Sequence, residues 1–459
     1  MPFRPGAPQI FVVNQLPSRT GLRRLLHFPQ VRYVWLVAAI LMMASTYRAA
    51  RWRNNDVFVG DMGGYYLYLP SAFLTHDLGN GAWVKAAALA YRPSSDPTIN
   101  MVTLPNGKVI FKYPLGMAVA YAPFFFLAKT IYYWQGVRAT TGYEPLYQYA
   151  VTWGCLAYLL LGLWVLGSEL RRCFDDGVAA LTLLIIAIGT NLFTYGTSEV
   201  LMAHGTLLLL NALLLRYTRR WYDGSRWPDA VRLGLVSGLM VLVRPSELML
   251  LGIPVLWGLN SRAAVAEQLR FWQQRWPLAL LMVGAAGLVA GQQFVFWRLV
   301  AGQWLVPFYP GEAFHFDNPH VFDGVFSFRK GWLVYSPLMV FSLLGIGWVR
   351  RWAPAVWMPL LLLVPMYFYV TFCWYSWEYG GSYGGRALIS LYPLLAFSLA
   401  AFWQRWLRPG RWVLGPLVAA LLLVSLIQNY EYLVGLISCC EMTWQLYKER
   451  FLLLGWPQP

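Results

Sequence analysis

Pro114-Leu115-Gly116-Met117-Ala118-Val119-Ala120-Tyr121-Ala122-Pro123-Phe124-Phe125-Phe126-Leu127-Ala128-Lys129-Thr130-Ile131-Tyr132-Tyr133-Trp134 is the stretch on which the fold turns. It is as long as a helix must be to cross a bilayer core, about 20 residues for ~30 Å, yet it holds two prolines and a lysine. If it crosses, Arg171-Arg172 and the cluster Arg216, Arg219, Arg220, Arg226 and Arg232 end up outside while the N-terminal arginines stay inside. That runs against the bias of Lys and Arg toward the cytoplasmic loops. If it is instead a juxtamembrane or re-entrant helix, every basic loop falls on one side. Segments 1–32, 168–177, 216–232, 260–276, 349–353 and 404–411 then carry 20 Lys and Arg in 89 residues, against 14 in 174 for 48–146, 301–331, 374–386 and 429–459. This contrast predicts eleven crossings, with the N-terminus inside and the C-terminus outside.

The other apolar runs lie near 33–47, 147–167, 178–195, 200–217, 231–245, 247–259, 277–300, 332–348, 354–373, 387–403 and 412–428, and 231–259 also reads as one bent hairpin around Arg244-Pro245. Composition agrees with a lipid solvent. Of the 459 residues 58% are hydrophobic and 12% charged, about half the charge of an ordinary soluble domain, too little to cover a water-soluble globule. The chain reads as an all-α polytopic membrane protein.

A net charge of +16 raises nucleic-acid binding, but the 36 Lys and Arg are scattered between apolar runs and form no basic stripe, so no nucleic-acid partner is expected. The five cysteines have no metal-ligand spacing, and adjacent Cys439 and Cys440 could form only a strained vicinal disulfide, so no disulfide framework is expected. The first apolar run resembles a signal sequence. Its 32-residue polar leader and lack of a small-residue cleavage site favour a retained anchor. The expected organisation is a cytoplasmic segment 1–32, a transmembrane module 33–260 with a large external loop 48–146, and a second module 261–459 with external loops 301–331 and 374–386. No internal repeat is evident.

Unusual polar residues concentrate in the external segments. Asp61, in Val59-Gly60-Asp61-Met62-Gly63-Gly64-Tyr65-Tyr66, is flanked by glycines that let backbone fold closely around a carboxylate, which could take a proton from an attacking hydroxyl. A solvated or helix-capping aspartate is the alternative. The run from Tyr65 to Leu74 reads as an interfacial amphipathic helix. Glu199 and His204, five positions apart, need not share a helix face; for each, a structural polar bridge competes with a substrate contact. Arg244 has the fork geometry for phosphate oxygens, with internal pairing to Glu247 as its rival. The tract from Phe372 to Arg386 interleaves aromatics with two Gly-Gly pairs, a poor helix whose aromatic faces suit sugars and whose Glu378 and Arg386 could grip hydroxyls or phosphate. An interfacial aromatic belt explains the tryptophans of that tract but not its glycine pairs. Lys112 approaches a phosphate or merely snorkels. Glu312, His315, Asp317, His320 and Asp323 crowd the second external loop without metal-site spacing, so no metal site is expected and an acceptor-facing loop is the preferred reading. No Walker A pattern or nucleotide fingerprint occurs.

An acidic residue in a large external loop soon after the first span resembles the GT-C superfamily of membrane glycosyltransferases, nearest its protein O-mannosyltransferase and lipid A aminoarabinose transferase branch. Pro114-Leu115-Gly116 is similar to that branch's juxtamembrane motif and Arg171-Arg172-Cys173-Phe174 to its cytoplasmic Arg-Arg-x-Phe turn, and Glu199 stands where the branch usually has Asp. The resemblance covers residues 33–260, and the remainder only by layout. It implies a sugar donor linked to polyprenyl phosphate, and a lipid, glycan or protein acceptor. It also implies Asp61 as the base, and Arg244, Arg386 and Lys112 as donor-phosphate contacts. Glu199, His204, Tyr65, Tyr113, Trp377, Glu378 and Tyr383 are then candidates for substrate binding. No cofactor is required where arginine meets a single phosphate, although the wider superfamily includes metal users. The expected location is the inner membrane of a bacterium with the site facing outward. A lipid or sugar transporter and a diphosphate-donor O-antigen ligase or polymerase are the competing readings.

Overall fold

The computed structural model describes residues 30–307, 309 and 311–453; most of the expected cytoplasmic segment 1–32 lies outside the described residues. Helix accounts for 72% and strand for 2%, the strand being a small antiparallel pair, Met101–Thr103 with Val109–Phe111, in the first large loop. Five helical stretches, Gln30–Arg53, Pro145–Leu170, Trp276–Ala301, Pro354–Phe372 and Arg386–Leu433, are long and apolar enough to cross a membrane. The 26-residue helix Pro145–Leu170 is about 39 Å long at 1.5 Å per residue, and proline in its first turn removes a donor that would have no helical partner there.

Other apolar runs form shorter helices. Asp176–Ile188 has 13 residues, and Ile185, Ile186 and Ala187 in it are fully buried. A helix enclosed by protein need not match the lipid thickness, because its neighbours cover its ends. The expected bent hairpin is present: Trp227–Val243 leads to Arg244, and the chain returns through the 3-10 turn Pro245–Leu251 and the short helix Gly252–Leu256. The return reaches the base of the preceding helix Ala203–Gly224, where the Tyr222 hydroxyl donates to the Pro254 carbonyl at 2.8 Å.

Tyr392–Leu433 is one helical element interrupted by Pro409 and Pro416, which lack the N–H of the helical ladder, so the runs 387–403 and 412–428 are joined with no intervening loop. A straight helix would hold Tyr392 and Asn429 about 55 Å apart. Both instead bond one short segment: the Tyr392 hydroxyl donates to Asn191 Oδ1 at 2.6 Å, and Asn429 Oδ1 accepts from the Thr194 hydroxyl at 2.6 Å. The element therefore doubles back, in the stretch that carries Arg408, Pro409 and Gly410, with Arg408 bonded to Asp175 at 3.3 Å.

The basic turns meet at one end. Glu169 accepts from Arg216 at 2.9 Å and Arg219 at 2.8 Å, Arg171 pairs with Asp176 at 2.8 Å, and Arg220 with Asp229 at 2.8 Å. Helix Gln30–Ala49 starts near this end, with Val31 against Gly167 and Trp35 Nε1 donating to the Leu160 carbonyl, and delivers the chain to the opposite end, where Asp61 follows. The stretch that opened the sequence reading forms the helix Gly116–Trp134. Gly116 lies against Leu242 and Val243, Phe124 against Gly154 and Tyr158, and Tyr132 against Tyr147. The helix thus climbs only the first half of Pro145–Leu170 and both its ends stay on the Asp61 side.

Residues 65–74 correct an expectation. They form the short helices Gly60–Tyr66 and Tyr68–Phe73, and Tyr65 through Ser71 are buried, not laid along an interface. The aromatic rings account for this: Tyr66 stacks on Phe58 at 3.6 Å, and Tyr68 meets Phe111 and Phe296 edge to face, burial that an exposed interfacial helix would forgo.

Candidate active site

Asp61 occupies the first turn of helix Gly60–Tyr66. Both its carboxylate oxygens are engaged: the Tyr113 hydroxyl donates to Oδ1 at 2.6 Å and Arg386 Nη2 to Oδ2 at 3.0 Å. Gly64 makes the first of these possible, since a Cβ there would stand 2.4 Å from the Tyr113 ring. Burial and the neighbouring Asp61 charge lift the Tyr113 hydroxyl far above its ordinary value of 10, so it acts as a neutral donor. An ionised carboxylate offers about four acceptor positions, so two sites on Asp61 stay open to an incoming hydroxyl. Its side chain retains 29% of its exposure.

Arg386 arrives from a segment 325 residues away, at the start of the 3-10 turn Arg386–Leu391. The tract between Phe372 and Arg386 is irregular, as its glycine pairs require. Gly384 takes a positive φ of 57° and a Cβ on it would sit 3.1 Å from Tyr335, so glycine lets the chain turn and return Arg386 to the centre, where it also donates to the Tyr379 carbonyl at 2.8 Å.

Arg244 is the second cation here. Among the described residues it forms no ion pair. Its electrostatic neighbours are Glu247 and the Tyr367, Tyr65 and Tyr379 side chains. Glu247, the expected alternative partner, interacts with Arg244 electrostatically without pairing to it directly: it is fully buried and takes hydrogen bonds from Ser390 at 2.7 Å, Asn211 at 3.1 Å and Tyr367 at 3.2 Å. Three neutral donors satisfy that carboxylate, and the guanidinium's hydrogen-bond partner here is Tyr65. Tyr65 links the two cations, standing edge to face with Tyr113 at 4.8 Å and feeling the charges of Asp61, Arg244 and Arg386.

Glu199 accepts from the Tyr432 hydroxyl at 3.0 Å. Burial raises its carboxyl above the ordinary range, with Arg386 and Arg51 pulling the other way. It lines a cavity of about 690 Å³ at this end of the bundle, together with Arg51, Tyr432 and Arg450. Asp61 is not on the lining of that cavity.

Other candidates surround the centre at different distances. Lys112 is paired with Glu312 at 2.8 Å and sits over the Tyr309 ring, which packs against Tyr113. Glu378 pairs with Arg329 at 3.0 Å and Trp377 stacks on His320, so both belong to the rim. Tyr383 is buried among Tyr335 and Tyr432, its backbone tied to Tyr195 at 2.8 Å, and serves to anchor the loop. His204 is fully buried against Tyr195, with neither ring nitrogen partnered among the described residues; it is inside the bundle, not on the cavity. Among the described residues no three His, Cys, Asp or Glu side chains gather as a metal-ion group; His320 bonds Asp323 and Glu312 bonds Lys112 instead.

Sequence reasoning passed over Tyr379, Tyr195, Tyr432 and Arg51. The two prominent motifs around Asp61 and Arg386 carried a signal because glycines flank them, whereas lone tyrosines among 28 and an arginine just past a span carry none. No protein-family model matches the chain, and no match to a curated protein was found.

Proposed function

We propose that this chain is an integral-membrane glycosyltransferase of GT-C type, with eleven crossings and its N-terminus inside, which moves a sugar from a polyprenyl-phosphate donor to an acceptor hydroxyl at the external face. The observation that carries the reading is Arg244, which forms no ion pair among the described residues and is linked through Tyr65 to a carboxylate oriented by Tyr113 and Arg386. The gathering of basic turns at the end remote from Asp61 supports the proposed orientation.

The chemistry follows from the charges. Asp61 accepts the proton of the acceptor hydroxyl at one of its open positions. The oxygen attacks the anomeric carbon, and the carbon–oxygen bond to the donor phosphate breaks on the opposite face, giving inversion. Negative charge grows on the leaving phosphate, where Arg244 stabilises it, and Arg386 can move a donor from Asp61 toward it. Cations held in place before the reaction are worth up to several kcal/mol at that point, since no reorganisation is needed. A lipid-linked donor suits a site remote from cytoplasmic nucleotide sugars. No metal enters this sequence of steps.

Transfer of radiolabelled sugar from a polyprenyl monophosphate into product, by purified protein in liposomes, tests the reading. Activity abolished in a normally folded Asp61→Asn variant is the expected result. Lipid scrambling or sugar uptake without product would overturn the transferase reading, and use of a diphosphate donor alone would overturn the donor class.

A further inference from the structure

The 690 Å³ cavity lies within the ~300–1,000 Å³ typical of small-molecule sites, and its two arginines, Arg51 and Arg450, are not those of the Asp61 centre. Arg51 spends one donor on the Ser198 carbonyl at 3.2 Å and Arg450 one on the Leu436 carbonyl at 2.8 Å. Among the described residues neither forms an ion pair, so each guanidinium, with five donors, keeps most of its fork for an anion. The backbone tethers hold both side chains in place, which lowers the entropy lost on binding. The rest of the wall is mixed. Glu199 and Tyr432 form a bonded polar pair, while Leu433 and Leu446 are apolar, Leu433 marking the end of the last membrane helix. Glu199 belongs to both regions, since it lines the cavity and interacts electrostatically with Arg386 and Asp61.

We propose that this cavity binds a phosphate-bearing acceptor, its phosphate held between Arg51 and Arg450 and its hydroxyl directed past Glu199 toward Asp61. The role as acceptor rests on the transferase reading above; the binding of a phosphate group does not. Two arginines match two oxygens of one phosphate with charge-assisted bonds. The donor phosphate, at Arg244, would then occupy a different place, so both substrates can be present together.

The test uses the full chain in phosphatidylcholine nanodiscs. One arm titrates dihexanoyl phosphatidic acid, the other glucose 6-phosphate, with dihexanoylglycerol as the uncharged control. Saturable binding of a phosphate probe is expected, and the arm that binds more tightly assigns the source as lipid or soluble sugar. Arg51→Gln and Arg450→Gln should each weaken it about tenfold, the loss of one charge-assisted contact. Glu441→Gln, which removes a negative charge from the lining, should tighten it and does not depend on a disrupted contact. Failure of both probes to saturate, binding that survives the double arginine variant, or competitive displacement by one equivalent of undecaprenyl phosphate would overturn the proposal. Phosphate binding without any sugar transfer supports the pocket and counts against the transferase; sugar transfer without phosphate binding overturns the pocket alone.

Discussion

The Asp61–Arg386 pair joins the two halves of the chain, and its strength can be worked from its surroundings. The side chains retain 29% and 13% of their exposure. Surface ion pairs contribute ~0.2–1 kcal/mol, whereas breaking a fully buried one costs ~3–5 kcal/mol. A pair at this depth should show a coupling of about 2 kcal/mol, the range of a hydrogen bond to a charged group. The double-mutant cycle uses Asp61→Asn, Arg386→Met and both together, with unfolding free energies measured by steric trapping in bicelles. The single changes should be unequal. Arg386→Met leaves a carboxylate that keeps Tyr113 and its access to water. Asp61→Asn leaves the less exposed guanidinium without its bonded carboxylate, with the Tyr379 carbonyl as hydrogen-bond partner and Glu199 as the remaining negative charge, and should cost more. A coupling below about 0.5 kcal/mol, the usual error of additivity between independent sites, would refute the claim that this contact ties the site together.

Gly64→Ala should reduce transfer and lower stability by about 1–3 kcal/mol, because its methyl group must push the Tyr113 ring 2.4 Å away off Asp61; wild-type activity and melting would exclude this close approach. Burial lowers the Lys330 ammonium to about 8, where it donates to the Ser382 and Cys439 carbonyls. The unfolded chain holds that proton to a higher pH, about 10.4, so wild-type stability relative to Lys330→Met should rise from about pH 8 to about pH 10.4 and stay flat below; thermal unfolding of both proteins across this range checks the sign, and a falling difference would contradict it. Intact right-side-out vesicles treated with a membrane-impermeant maleimide should be labelled at Cys439 and Cys440, which are exposed, and not at Cys173 beside Arg172; labelling lost in a Cys173→Ser variant would reverse the orientation.

Much of the architecture was legible because it is local. A run of apolar residues forms a helix wherever it is placed in lipid, since its own backbone must satisfy its hydrogen bonds there. The basic turns around Arg171 and Arg216 announce a shared side through charge alone, and the structure gathers them. Pro114, Pro123 and Lys129 likewise set the helix Gly116–Trp134 apart from the other apolar runs, and it packs along the first half of Pro145–Leu170. The burial of Tyr65 to Ser71 was not legible, because the partners that cover it, Phe111, Tyr143 and Phe296 among them, are distant in sequence.

Individual side chains divide in the same way. Asp61, Arg244 and Arg386 could be singled out because a charge amid apolar or glycine-rich sequence is costly wherever it lies. Which of them would meet, and that Glu247 would be satisfied by Asn211, Tyr367 and Ser390 without pairing to Arg244, depended on elements that pack across 36 to 143 residues of chain. Sequence by itself determined an apolar, helical protein with its basic turns clustered and its unusual polar residues between the apolar runs, because hydrophobicity and charge act residue by residue. Only the tertiary structure decided the partners, because the energy of an ion pair depends on distance and burial, and neither is a property of a position along the chain.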